Sequence, residues 1–114
     1  MANKRGMPPV HPGEILREDV LPALGLSVAD ASAKLGVTRQ TLHRIIAREN
    51  PRPVTPEMAV RLGKLCGNGP RLWLNLQSAY DIRVAEEKAG QEIEQLPTRP
   101  AGPIVDQPKQ PTLL

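Results

Sequence analysis

Between Leu35 and Thr38 the chain leaves room for one tight turn and little else. On the amino side of that turn, LSVADASAKLG opens with Ser27, a residue type whose hydroxyl caps helices. Asp30 stands three residues on, where its carboxylate can answer the cap's own backbone N–H. Val28, Ala31 and Leu35 then form an apolar stripe at helical spacing, and Gly36 ends it. On the carboxyl side, TRQTLHRIIA starts at a second cap, Thr38, and turns Leu42, Ile45 and Ile46 inward. A connection of about three residues containing a glycine forces two helices into a sharp crossing, the helix-turn-helix arrangement. Gly36 supplies the positive φ such a turn needs, and Val37 plugs the space beneath it. Ser32 falls where the two helices pass most closely, so a small side chain is expected there.

The flanking segments read as helices too. HPGEILREDVLPALG begins with Pro12, suited to a first helical position, and places Leu16 and Val20 on one face; Pro22 and Gly25 are expected to close it. TPEMAVRLGKLCG has Thr55 as cap, Pro56 at the first position, and Met58, Leu62 and Leu65 as its buried line. GPRLWLNLQSAYDIRVAEEK is the longest helical run. Phe is absent, and one Trp and one Tyr complete the aromatic set, so the core is aliphatic. Few aromatics and almost no alternating β-branched runs point to an all-α fold. The expectation is a compact five-helix domain.

A chain of 114 residues supports one small domain. We place it at residues 11–88, after a flexible stretch at 1–10. Residues 89–114 contain Pro97, Pro100, Pro103, Pro108 and Pro111 among scattered apolar residues, which is the composition of an extended, disordered proline-rich tail. That tail is either a plain solvated extension or a partner-binding segment. The net charge of +3 permits a polyanionic partner without requiring one. Lone Cys66 excludes an internal disulfide and fits a reducing cytoplasm. The first residues lack the apolar stretch of a secretory signal, and no run approaches the ~20 apolar residues of a membrane span.

With its apolar side buried, the helix after the turn presents Thr38, Arg39, Gln40, Thr41, His43 and Arg44. Arg and Gln carry paired donors and acceptors that match base edges, Arg to guanine and Gln to adenine. Thr38 and Ser27, at helix starts, can offer hydroxyls and backbone N–H groups to phosphates. Glu49, the nearest acid, lies just beyond this surface. The plain alternative is a solvated polar face. Combined with the glycine turn, the pattern is that of a recognition helix for double-stranded DNA.

Taken in order, HPGEILREDVLPALGLS, LGVTRQTLHRII, TPEMAVRLGKLCG and WLNLQSAYD resemble the HigA (VapI-like) antitoxins, a branch of the XRE/Cro helix-turn-helix regulators with a lambda-repressor-like fold. The resemblance spans residues 11 to about 88. It implies a five-helix DNA-binding domain working as a homodimer, which binds a HigB-type toxin (a ribosome-dependent mRNA endonuclease) and represses its own operon. Ser32 departs from the family, which usually has Ala there, and the tail after residue 89 runs past the family's usual end.

The last helix bears on the dimer independently. At ~100° per residue, Leu72, Trp73, Leu76, Ala79, Tyr80 and Val84 make one stripe roughly 140° wide, with Leu74 and Ile82 outside it. So broad a stripe exceeds what a small monomeric core covers, so Trp73, Leu76, Tyr80 and Val84 are expected at a dimer interface, the alternative being an intramolecular core. Catalytic chemistry finds no support. His11 and His43 lie far apart, and Cys66 has no ligand-type neighbour, so no metal spacing exists and no cofactor is implied. Glu14, Glu18 and Asp19 cluster in the first helix, either to complement its macrodipole or to meet a basic toxin. Three functions remain open: antitoxin and repressor, stand-alone regulator, or interaction module without DNA.

Overall fold

Pro22 sits inside the first helix, not at its end. In the computed structural model, which describes residues 9–99, helix α1 covers residues 12–24 in three continuous stretches. They are α-helical Pro12–Ile15, a wider π turn at Leu16–Val20, and α-helical Leu21–Leu24. Proline lacks the N–H, and its ring collides with the carbonyl four residues back, here Glu18. The wider turn relieves that collision, and the Leu21 N–H reaches back five residues to the Leu16 carbonyl. The expected stop at Pro22 is therefore corrected: Gly25 alone ends the helix, in a left-handed conformation with φ 68°. The N–H groups of Gly25 and Leu26 close on the carbonyls of Pro22 and Leu21, each at 3.0 Å.

Four further helices follow: α2 (Val28–Leu35), α3 (Arg39–Ile45), α4 (Pro56–Cys66) and α5 (Pro70–Glu94). Each of the first three starts at the cap the residues announce. Ser27 Oγ accepts the Asp30 N–H at 3.0 Å, and Asp30 Oδ2 accepts the Ser27 N–H at 3.4 Å. Thr38 Oγ1 accepts the Thr41 N–H at 3.0 Å, and Thr55 Oγ1 accepts the Met58 N–H at 3.2 Å. Among the described residues there is no strand, and no helix is long and apolar enough to cross a membrane.

The core is aliphatic around one large ring. Leu16, Leu21, Ala31, Leu35, Leu42, Ile45, Ile46, Val54, Met58, Ala59 and Leu62 are buried around Trp73, which is 1% exposed. Ser32 is buried in α2, and its hydroxyl donates to the Ala29 carbonyl at 3.0 Å, which satisfies the polar atom within its own helix. Val37 and Leu65 pack against this core from its edge.

The last helix runs on past Lys88, where the extended tail was expected to begin. It reaches Glu94, with a break in helical geometry at Ala89 (φ −125°, ψ 18°). The stretch AGQEIEQ has good helix formers and one weak residue, Gly90, while the first proline of the tail comes only at Pro97. The rest of the expected tail, from residue 100, and residues 1–8 of the expected flexible start lie outside the described residues.

Candidate nucleic-acid interface

The turn between α2 and α3 forms as its residues require. Gly36 adopts φ 73°, and the N–H groups of Gly36 and Val37 close on the carbonyls of Ala33 and Ser32 at 3.2 and 3.0 Å. Helix α3 then buries Leu42, Ile45 and Ile46 and leaves Arg39, Gln40, His43 and Arg44 exposed on the opposite side. Thr38, Arg39, Gln40 and His43 line one shallow hollow at the amino end of the helix. Thr38 is also exposed, while Thr41 is half-buried and its Oγ1 accepts a hydrogen bond from the Thr38 hydroxyl at 2.9 Å. Ser27 is exposed at the start of α2, its hydroxyl already serving as the cap.

No acidic residue lies on α3. Among the described residues, the ion pairs are Arg17–Glu18, Arg48–Glu18, Arg61–Glu57 and Arg83–Glu87, so neither Arg39 nor Arg44 is neutralised by a neighbour. Such a face offers two unsatisfied guanidinium groups and an amide to a ligand rich in acceptors. Glu18 is held below the usual carboxylate range by its hydrogen bond from Arg17. Burial pushes the Cys66 thiol up, away from nucleophilic chemistry. The described residues contain no group of three or more His, Cys, Asp or Glu able to hold a metal.

Several residues that set the interface in place were not visible in the sequence pattern. Gly13 lies against the end of α3: a Cβ there would come within 1.9 Å of the Ile45 carbonyl oxygen. Arg17 Nη1 donates to the Ile46 carbonyl at 2.6 Å, so α1 satisfies the open carboxyl end of α3. The following loop is pinned at two points. The Arg52 N–H donates to the Arg44 carbonyl at 2.9 Å, and the Val54 N–H donates to the buried Oε1 of Gln77 at 2.8 Å. From α4, Arg61 Nη1 donates to the Leu35 carbonyl at 2.8 Å, at the turn itself. Long charged or amide side chains reaching backbone carbonyls leave no periodic trace in a sequence.

His11 is the cap of α1, its Nδ1 accepting the Gly13 N–H at 2.8 Å. Its ring is 5% exposed, meets Tyr80 of α5 edge-on with centroids 4.8 Å apart, and keeps Nε2 without a hydrogen-bond partner. Burial lowers the imidazole from its ordinary 6.5, and the Asp81 carboxylate offsets only part of that shift. Below 6.5 the unfolded chain therefore takes up a proton that the native state refuses. Stability is full above that value and declines as the pH falls toward the lowered native one. Between pH 8 and 5.5 the melting temperature should therefore fall. His11→Asn, which keeps a cap acceptor, should flatten that dependence; an unchanged slope would show that another group sets it.

The α5 stripe turns its centre to its own core. Trp73, expected at a dimer interface, is buried within one chain, and its Nε1 donates to Asn68 Oδ1 at 3.2 Å. It therefore has no surface for a second copy, which corrects that assignment. Leu76, Tyr80 and Val84 are half-buried, whereas Leu72 (44%) and Ile82 (57%) are exposed.

Residues 16–74 match the model of the helix-turn-helix family. Virulence-associated protein I of Dichelobacter nodosus is 40% identical over 86 residues, covering 75% of this chain and 78% of that relative. The solved structure of Pseudomonas aeruginosa antitoxin HigA with higBA promoter superposes with a TM-score of 0.70 at 38% identity, covering 75% of this chain and 91% of that one. Antitoxin GraA in complex with its operator superposes with a TM-score of 0.74 at 40% identity, covering 84% and 95%.

Proposed function

Because the chain belongs to the XRE-type helix-turn-helix family that includes the HigA antitoxins, a family of regulators and not of enzymes, we propose that it is the antitoxin of a type II toxin–antitoxin pair. In this reading it binds a HigB-type toxin and, as a homodimer, represses its own operon in the cytoplasm. The observation that carries the DNA part is the exposed α3 face, with Arg39 and Arg44 unpaired beside Gln40. Related antitoxins have been solved on a promoter and on an operator, which supports DNA binding here.

We assign base contacts to Arg39, Gln40, His43 and Arg44, and backbone-phosphate contacts to Ser27, Thr38 and Thr41. The amino end of α3 enters the major groove, where Gln40 lies nearest the bases. Residues 11–88 form the DNA-binding and dimerisation unit, with the rest of α5 extending from it. The dimer contact is the exposed flank of α5, Leu72 and Ala79, with the half-buried Leu76, Tyr80 and Val84 at its edge. Two copies related by a two-fold axis match a palindromic operator with half-sites about one helical turn apart.

The toxin assignment rests on the family alone. Co-expression with the small basic protein encoded next to this gene should give a stable complex and restore growth. Failure of the two to co-purify, while the chain still retards its own promoter fragment, would leave a stand-alone regulator.

A further inference from the structure

The carboxyl end of α2 carries an arginine that belongs to neither helix of the DNA-reading pair. Gly36 and Val37 use their N–H groups on Ala33 and Ser32, but the carbonyls of Leu35 and Gly36 point away from the helix with no backbone partner in that closure. Arg61, from the middle of α4, fills this gap. Its Nη1 lies 2.8 Å from the Leu35 oxygen and 3.4 Å from the Gly36 oxygen. Its Nη2 donates to Glu57 Oε2 at 2.8 Å, one helical turn back on α4. The guanidinium is thus fixed on both sides, by a carboxylate behind it and by two carbonyls in front. A Cβ on Gly36 would approach Nη1 to 2.9 Å and push the end of this side chain aside, while the φ of 73° is what calls for glycine there.

We propose that Arg61 is the positioning residue of the DNA-reading unit. By holding the Leu35 and Gly36 carbonyls from α4, it sets the angle at which α3 leaves the turn. The inference rests on the DNA-binding reading above and adds what aims the helix. Arg17 and the Arg52 N–H hold the carboxyl end of α3, whereas at its amino end Arg61 reaches the turn from outside the helix pair. A planar fork with several donors fixes direction in a way that a single ammonium cannot. Its positive charge also sits at the negative end of α2, where the helix dipole favours it. Arg61 acts on base reading through α3, and its guanidinium is already engaged within the protein.

That placement predicts a loss of discrimination rather than of general affinity. At low temperature, with folding verified by circular dichroism, Arg61→Met should reduce the operator-to-scrambled affinity ratio by about tenfold, as loss of a charged hydrogen bond warrants. Binding to the scrambled duplex and its salt slope should stay as in the wild type. Arg61→Lys should restore little of the ratio, because it returns the charge without the fork. Should the methionine variant not fold, Glu57→Ala, at an exposed position, carries the test: freeing the guanidinium should lower the ratio in the same direction. An unchanged ratio in the folded variants overturns the proposal. So does an equal fall on both duplexes with a salt slope reduced by about one, which would make Arg61 a phosphate ligand. A wild-type chain that fails to discriminate between the duplexes removes the DNA reading itself, and this inference with it.

Discussion

Trp73→Ala should lower the stability of the chain by about 3–5 kcal/mol, the range for removing a large aromatic from a closed core. The indole is 1% exposed and surrounded by aliphatic side chains, and it is the largest fully buried side chain of the domain. Its loss opens a cavity that helices tied by short connections cannot collapse into, and leaves Asn68 Oδ1 without its donor at 3.2 Å. For a domain of this size the melting temperature should fall by roughly 12 °C or more. Denaturant titrations should give the same loss over a wide range of protein concentration, because the ring supports one chain and not a subunit contact. Leu72→Glu, on the exposed flank, should do the opposite: little change in the fold of the single chain and a shift of the dimer toward monomer. A Trp73→Ala penalty that vanished on dilution would return the indole to the interface.

The second large effect concerns α3. Gln40→Ala and Arg44→Ala together should cost about 2–6 kcal/mol on the cognate operator, at about 1–3 kcal/mol for each well-formed base contact. The two residues are four apart on one exposed side, so they face the same few base pairs. Neither is buried or paired within the protein, so the double variant should melt as the parent does. Ser27→Ala should act otherwise. A phosphate contact carries no base information, so operator and scrambled sequences weaken alike. That variant also loses a cap bond of 3.0 Å, worth about 1 kcal/mol of folding stability, which a melting curve separates from binding.

Much of this architecture is legible in short-range chemistry. Ser27, Thr38 and Thr55 announce helix starts because each cap bond closes within three residues. Gly36 announces the turn because few other residues hold φ near 73°. The recognition face follows by subtraction, since Leu42, Ile45 and Ile46 must be buried and what remains points outward. The errors have equally physical sources. Pro22 is a stop signal only while the helix stays α, and the π turn before it removes that condition. A residue stripe shows which side of α5 is apolar but not how much of it the same chain covers, and at Trp73 that cover is nearly complete. The supports of α3 escaped for another reason. Gly13, Arg17, Arg61 and Gln77 act across 23 to 29 positions or by leaving a gap, through backbone atoms that every residue shares.

The account stands on α3 as the element that reads DNA sequence. Its most direct test is a fluorescence-anisotropy titration of the wild type and of Gln40→Ala and Arg44→Ala. Each is measured against the promoter fragment of this gene and a scrambled duplex of the same length, at fixed salt, because counterion release alone makes both affinities fall steeply as salt rises. The account predicts that the wild type favours the promoter fragment and that both variants lose much of that preference while keeping their affinity for the scrambled duplex. If both substitutions leave the ratio untouched, α3 does not read DNA.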